Sequence, residues 1–229
     1  MYVLKFHGAG QGPKALIAEL IAGEIARALG LPVPEIVLVE LDPALARTEP
    51  DPEIQDLIRA SAGLNLALDY LPGSVTFDPV ALRPDADLAS AIVWFDAYVT
   101  NIDRTPRNVN MLVWHRQVWL IDHGAALYFH HSRSTYLERS RDRFPMVKDH
   151  VLLPFASALH DANVKLAARL TPQVVERIVS CIPEAWLLDA APFDTSDQHR
   201  NAYIEYFLSR LTPPRDFLEE ALRARSLSV

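Results

Sequence analysis

The stretch from Asn101 to Gly124, NIDRTPRNVNMLVWHRQVWLIDHG, constrains the fold more than any other part of the chain. Two short apolar runs rich in aromatic and β-branched residues, Met111–Trp114 and Val118–Ile121, flank a polar turn at His115–Gln117. That pattern predicts a β-hairpin. Antiparallel pairing sets the entry of one strand beside the exit of the other. Asp103 and Asn108 precede the first strand and Asp122 follows the second, so three oxygen-bearing side chains far apart in sequence should meet.

Such a meeting suits phosphoryl transfer to a hydroxyl. One carboxylate orients the acceptor's proton, while a second carboxylate and an amide oxygen hold Mg²⁺, a hard ion that prefers oxygen ligands. Kinase catalytic loops space the first Asp and the Asn as D-x4-N and put the metal-binding Asp in a D-x-G after a hairpin. Asp103-x4-Asn108 and Asp122-His123-Gly124 match both patterns. Each motif alone says little, and the hairpin joining them carries the signal. The plain alternative is a polar loop whose Asp and Asn are ordinary turn formers.

Bulk properties narrow the classes. A chain of 229 residues, 50% hydrophobic, can build one large domain or two small lobes around a real core. A net charge of −7 argues against a nucleic-acid partner, since no cationic field is offered. The single cysteine, Cys181, excludes an intramolecular disulfide and fits a reducing compartment. No apolar run reaches membrane-spanning length, and MYVLKFHG lacks a signal peptide's charged start and apolar middle. The expectation is a soluble cytoplasmic protein with no membrane partner.

The N-terminal unit admits two readings. Tyr2–Phe6 reads as a strand, a glycine-rich turn follows at residues 8–13, and Lys14–Leu29 has helical periodicity closed by Gly30. One reading makes GAGQG a phosphate cradle at a helix N-terminus, although it lacks GxGxxG and GK[ST]. The other makes Lys5 a strand lysine that pairs with nucleotide phosphates, oriented by a helix glutamate. Glu19 and Glu24 both qualify but lie about 140° apart around the helix, so only one can face the strand. Apolar neighbours Leu16, Ile17 and Leu20 favour Glu19. A lysine that protects a sheet edge is the alternative role for Lys5.

Further on, Glu35–Leu41 reads as a second strand and residues 41–61 as an acidic excursion ending in a short helix from Glu53 to Ala60. Asn65–Leu71 and the Pro72-Gly73 turn fit a hinge between lobes, where main-chain groups at Asp69, Tyr70 and Leu71 would receive adenine. Asp87–Thr100 reads as a core helix feeding the catalytic loop, with Asp96 either anchoring that loop or facing water. Arg133–Lys148 is dense in charge and fits a mobile or substrate-facing segment. Helices are expected over about 156–169, 172–182, 199–209 and 214–225, the last capped by Thr212, with further N-cap candidates at residues 194–197.

With YVLKF, the helix ending in ALGLPVP, the NIDRTPRNVNML loop and LIDHG in view, the chain resembles the HipA-like kinases. DRTPRN is also similar to the D-R-H-x-x-N loop of phosphoinositide kinases. The resemblance runs through most of residues 1–130. It implies an α+β, two-lobed protein-kinase-like fold, with a truncated N-terminal β-lobe over 1–72 and a mostly helical C-terminal lobe over 73–229. It implies ATP and Mg²⁺ as cofactors and transfer to a Ser or Thr hydroxyl of a protein substrate, and it admits a regulatory partner protein. Carried over, Asp103 becomes the catalytic acid, Asn108 and Asp122 the metal ligands, Lys5 the phosphate-pairing lysine and Glu19 its partner.

Three departures follow. Thr105 stands where these families carry a basic residue or histidine, so Arg104 or Arg107 must supply charge to the γ-phosphate. His123 replaces the middle aromatic of D-F-G. The sequence starts at the lysine strand, without the glycine-rich loop that normally precedes it. This last departure leaves three alternatives, a start farther upstream, phosphates covered in another way, or a degenerate nucleotide-binding module of pseudokinase type, and the last is the competing class. A kinase of small cationic molecules shares the same chemistry. A metal hydrolase does not fit, because no H-E-x-x-H is present and the His130 and His131 side chains diverge.

Overall fold

The computed structural model describes residues 1–10, 12–131, 136–187 and 193–228. Strand β1 (Tyr2–Lys5) pairs antiparallel with β3 (Gly63–Asp69), which pairs on its other edge with β2 (Ile36–Leu41). The middle strand is the apolar run Leu64–Leu68 (LNLAL), whose Leu66 and Ala67 are buried on both faces, as expected of a strand with no free edge. Its one buried amide, Asn65, is fully used. Nδ2 donates to the carbonyls of Ser61 and Gly63 at 2.7 and 2.8 Å, and Oδ1 accepts from the His7 N–H at 2.8 Å.

Helix α1 (Pro13–Ala28) packs on this sheet with Pro13 in its first turn. The acidic excursion folds into a 3₁₀ turn (Pro43–Thr48) and α2 (Pro52–Ala60), capped by the Asp42 and Asp51 side chains. A second sheet holds β4 (Val75–Thr76), β5 (Met111–Trp114) and β6 (Gln117–Leu120) in that order. Buried α3 (Ala86–Tyr98) runs into the loop before β5, its N-terminus capped by Asp85 on the Leu88 N–H at 2.7 Å. Then come α4 (Tyr136–Arg139), α5 (Leu159–Ala167), α6 (Pro172–Ser180), α7 (Ser196–Leu211) and α8 (Asp216–Ser228).

One hydrophobic core runs from α1 and β3 through α3 and the β5–β6 hairpin to α7 and α8. The molecule is a mixed α+β fold with more helix than sheet. Among the described residues no helix is long and apolar enough to cross a membrane.

Several boundaries moved. The hairpin turn is two residues, His115 and Arg116 at φ 47° and 65°, so Gln117 belongs to β6 opposite Trp114. Paired left-handed residues match the twist of the flanking strands, and neither residue is the usual Gly or Asn, so the sequence announced the turn but not its two-residue length. Thr212 ends α7 rather than capping α8, which starts at Asp216. Thr195 is the N-cap of α7, accepting from the Gln198 N–H at 3.2 Å. The charged segment begins outside the described residues, at 133–135.

Candidate active site

The hairpin does join the two motifs. The Ile121 N–H donates to the Asn110 carbonyl at 3.1 Å, just beyond the Met111–Leu120 pair, which brings Asp122 alongside the end of the catalytic loop. Asn110 Nδ2 reaches Asp103 Oδ2 at 3.3 Å, and Asn108 Nδ2 donates to the same oxygen at 2.6 Å. Asn110 is thus the bridge between Asp103 and the strand that presents Asp122. Asn110 and Asp122 both adopt left-handed backbone, φ 48° and 56°. Asn and Asp tolerate that region best, and non-glycine residues held there cluster at functional sites.

Lys5 stands between two acids. Its Nζ lies 2.7 Å from Asp122 Oδ1 and 3.9 Å from Glu19 Oε2. Burial works against the ammonium, but Glu19 and Asp122 outweigh it and hold the Lys5 pKa above its ordinary value. Burial would likewise raise Glu19, yet the bond from His123 and the charge of Lys5 bring its carboxyl below the usual range. His123 Nδ1 sits 3.4 Å from Glu19 Oε1, and its ring stands edge-on to Phe95. The aromatic place in the triplet is therefore kept by a buried imidazole that also touches the α1 glutamate. Glu24 instead pairs with Arg27 at 3.2 Å on the outer face.

The glycine-turn cradle is not formed. The His7 and Gly8 N–H groups are taken by Asn65 and Ser61, and those of Ala9 and Gly12 by the carbonyls of Phe6 and Ala9. A Cβ on Gly8 would meet the Ser61 hydroxyl at 2.7 Å and the Ala60 carbonyl at 2.8 Å, so glycine here permits close packing on α2. Gln11 lies outside the described residues.

At the hinge, the Asp69 N–H donates to the Glu35 carbonyl at 2.8 Å and the Tyr70 N–H to the Met1 carbonyl at 2.9 Å. Neither is free to meet a base. The Leu71 N–H has no partner among the described residues, which leaves it as the donor of the expected trio.

Arg104 does not reach toward a phosphate. It is buried and donates from Nε to Asp96 Oδ2 at 2.6 Å, and from Nη1 to the Asn110 carbonyl. His150 Nε2 meets the same Asp96 oxygen at 2.9 Å, and Asn101 Nδ2 donates to Oδ1 at 2.8 Å. Burial raises the Asp96 pKa, but Arg104 and His150 together drive it well below the carboxylate range. Asp96 is therefore the anchor of the loop, and exposed Arg107 is the loop cation left on the surface. Asn110, Asn101 and His150 were missed in sequence. An asparagine two positions past the D-x4-N was the one signal available.

The donor set suits a hard divalent ion. With Nδ2 committed to Asp103, the Asn108 amide oxygen has no partner among the described residues, nor has Asp122 Oδ2. No group of three or more His, Cys, Asp or Glu able to hold a metal occurs among the described residues, so the candidate ligands are one amide and one carboxylate.

This fold and this pairing of a lysine with two acids below a D-x4-N loop define a kinase-like protein. The sequence model of the HipA-like kinases matches residues 1–220, and the chain belongs to that family. Its members are kinase-type phosphotransferases, a class that uses ATP and usually a divalent metal. Among solved structures, that of the Helicobacter pylori proinflammatory kinase CtkA is similar at a TM-score of 0.56 and 15% identity, covering 100% of this chain and 92% of that one. At that identity the likeness speaks for the fold alone. No curated protein sequence matches the chain.

Proposed function

We propose that the chain transfers the γ-phosphate of ATP to a Ser or Thr hydroxyl of a protein, in the presence of Mg²⁺. The observation that carries the reading is the juxtaposition through Asn110: Asp103 with Asn108 on one side, Asp122 with Lys5 and Glu19 on the other. Residues 1–72 act as the upper lobe and 73–229 as the lower, with the nucleotide between them. Lys5, oriented by Glu19, pairs with the phosphates, and the Leu71 N–H meets the base. Asp103 Oδ1 orients and accepts the hydroxyl proton, while Oδ2 is held by two asparagine amides. Asn108 Oδ1 and Asp122 Oδ2 would hold the ion, which would supply positive charge against the negative charge developing on the phosphates.

One observation favours a second reading. The Lys5 ammonium already rests on Asp122, closer than on Glu19, an arrangement that a nucleotide-binding module without transfer would also keep. Calorimetric titration of a non-hydrolysable ATP analogue, with and without Mg²⁺, tests the nucleotide site. Absence of Mg²⁺-dependent binding would end both readings. Transfer of labelled γ-phosphate to protein then separates the kinase from the binding module.

A further inference from the structure

Between Tyr136 and Lys148, Arg139, Arg141, Arg143 and Lys148 stand against Glu138 and Asp142, in a chain whose net charge is −7. Arg141 is spent on the carbonyls of Thr212 and Pro214, at 2.7 and 3.3 Å. Arg139 and Arg143 make no side-chain hydrogen bond or ion pair with any described residue, although the charge of Arg143 is felt by Glu220, which is itself bonded to Arg223. Both line a cavity of about 330 Å³ that also takes in Asp142. The rest of its wall is largely apolar, with Phe129, Phe144, Met146 and Tyr206 contributing. Met146 stands 40% exposed at its edge.

The cleft is built on rigid parts. Buried Arg210 donates to the Ser140 and Asp142 carbonyls at 3.0 and 2.8 Å, and to those of Ala97 and Tyr98 at 2.8 and 2.9 Å. It thereby ties the backbone between Arg139 and Arg143 to the C-terminal end of α3. Phe129 lies flat on Tyr206, centroids 3.4 Å apart at 13°. Thr100 and Phe144, both lining the cleft, are left-handed at φ 53° and 63°. For a β-branched residue such as Thr100 this backbone is strained, and such strain tends to persist at ligand sites. Thr100 leads directly into Asn101 and Asp103, so a group in the cleft lies against the entry to the catalytic loop.

Two guanidinium groups with no hydrogen-bonded acid of their own, beside an aromatic floor, recognise a carboxylate carried next to an apolar side chain. Asp142 on the same wall halves the positive excess, which favours a single carboxylate over a polyanion. We infer that this cleft docks the acceptor protein, taking an acidic residue and an apolar neighbour from the segment that carries the hydroxyl. The inference rests on the protein-acceptor reading above and adds the chemistry of the acceptor.

Binding, measured apart from turnover, tests it. The full chain carrying Asp103→Asn is titrated with two labelled peptide pools centred on Ser, one with Glu and Leu randomised in the flanks, the other with Lys replacing Glu. Fluorescence anisotropy is read with and without the ATP analogue and Mg²⁺. The Glu pool should bind about ten-fold tighter, the worth of one charge-assisted contact. Arg139→Glu with Arg143→Glu should remove or reverse that preference while leaving analogue affinity unchanged. Should the reversed pair fail to fold, Arg139→Gln with Arg143→Gln should still abolish the preference. Equal binding of the two pools, binding of neither, or an unaltered preference in the variants overturns the inference. So does displacement of the Glu pool by an equal concentration of inorganic phosphate, which would assign the cleft to a free small anion. A chain that keeps the Glu preference but takes no analogue would support the cleft and break the phosphotransferase reading instead.

Discussion

Two clusters with the same ingredients lie on either side of the loop 101–110. In each, an acid is flanked by a cation and a histidine: Glu19 with Lys5 and His123, Asp96 with Arg104 and His150. The lower cluster is closed. Its ion pair is 2.6 Å, its histidine contact 2.9 Å, and the partners are sealed from water. The upper cluster is open, with contacts of 3.9 and 3.4 Å, and its lysine rests on Asp122, whose side chain is 48% exposed. Charges closed on one another hold a loop in place, whereas charges left partly unsatisfied at a surface can exchange partners with a ligand.

The sharpest way to break this contrast is Asp96→Ala. Removing one member of a buried pair leaves Arg104 uncompensated and should cost about 3–5 kcal/mol of stability. Thermal unfolding would read it, and a variant melting like the parent would remove the anchoring role. Asp103→Asn should do the opposite, leaving the melt and the analogue affinity intact while lowering transfer about 10²–10⁴-fold. If Asp103→Asn and Asp122→Asn lost nucleotide affinity equally, their separate roles would be wrong. Lys5→Ala should weaken the analogue by roughly 1.5–3 kcal/mol, one charge-assisted contact, with little change in stability. Unchanged affinity would take Lys5 out of the site.

The smallest effect expected concerns pH. Burial holds the His199 pKa down at about 4, from 6.5. A depressed folded value means that its share of stability is complete above about pH 6.5 and is lost as pH falls toward 4, by no more than about 2 kcal/mol after solvent screening. His199→Phe keeps the ring between Phe193 and Tyr203 and should flatten the melting profile over that window. Parallel profiles for parent and variant would assign the loss elsewhere.

Much of the site was legible because its signals are local. Strand alternation around residues 115–117 and the spacing of Asp103, Asn108 and Asp122 need only a hairpin to become geometry. Glu19 could be chosen over Glu24 because helical angle and neighbouring apolar residues decide which side faces the sheet. What was not legible was settled by a competitor distant in sequence. Arg104 was offered to a phosphate, but Asp96 on the preceding helix takes it. Of the hinge main-chain donors and acceptors expected to meet a base, the Asp69 and Tyr70 N–H groups are taken by Glu35 and Met1. The glycine turn was open to a phosphate until Ser61 and Asn65 claimed its amides.

The order of residues alone brought out Asp103, Asn108 and Asp122 as candidates and the hairpin that gathers them, since both depend on spacing and on the two-residue period of a strand. Tertiary structure alone decided which donors are left over. A polar group's role depends on whether another group satisfies it first, and that partner can lie anywhere in the chain. The Leu71 N–H and the two arginines of the cleft stand out only once every other claim on a donor or acceptor has been met.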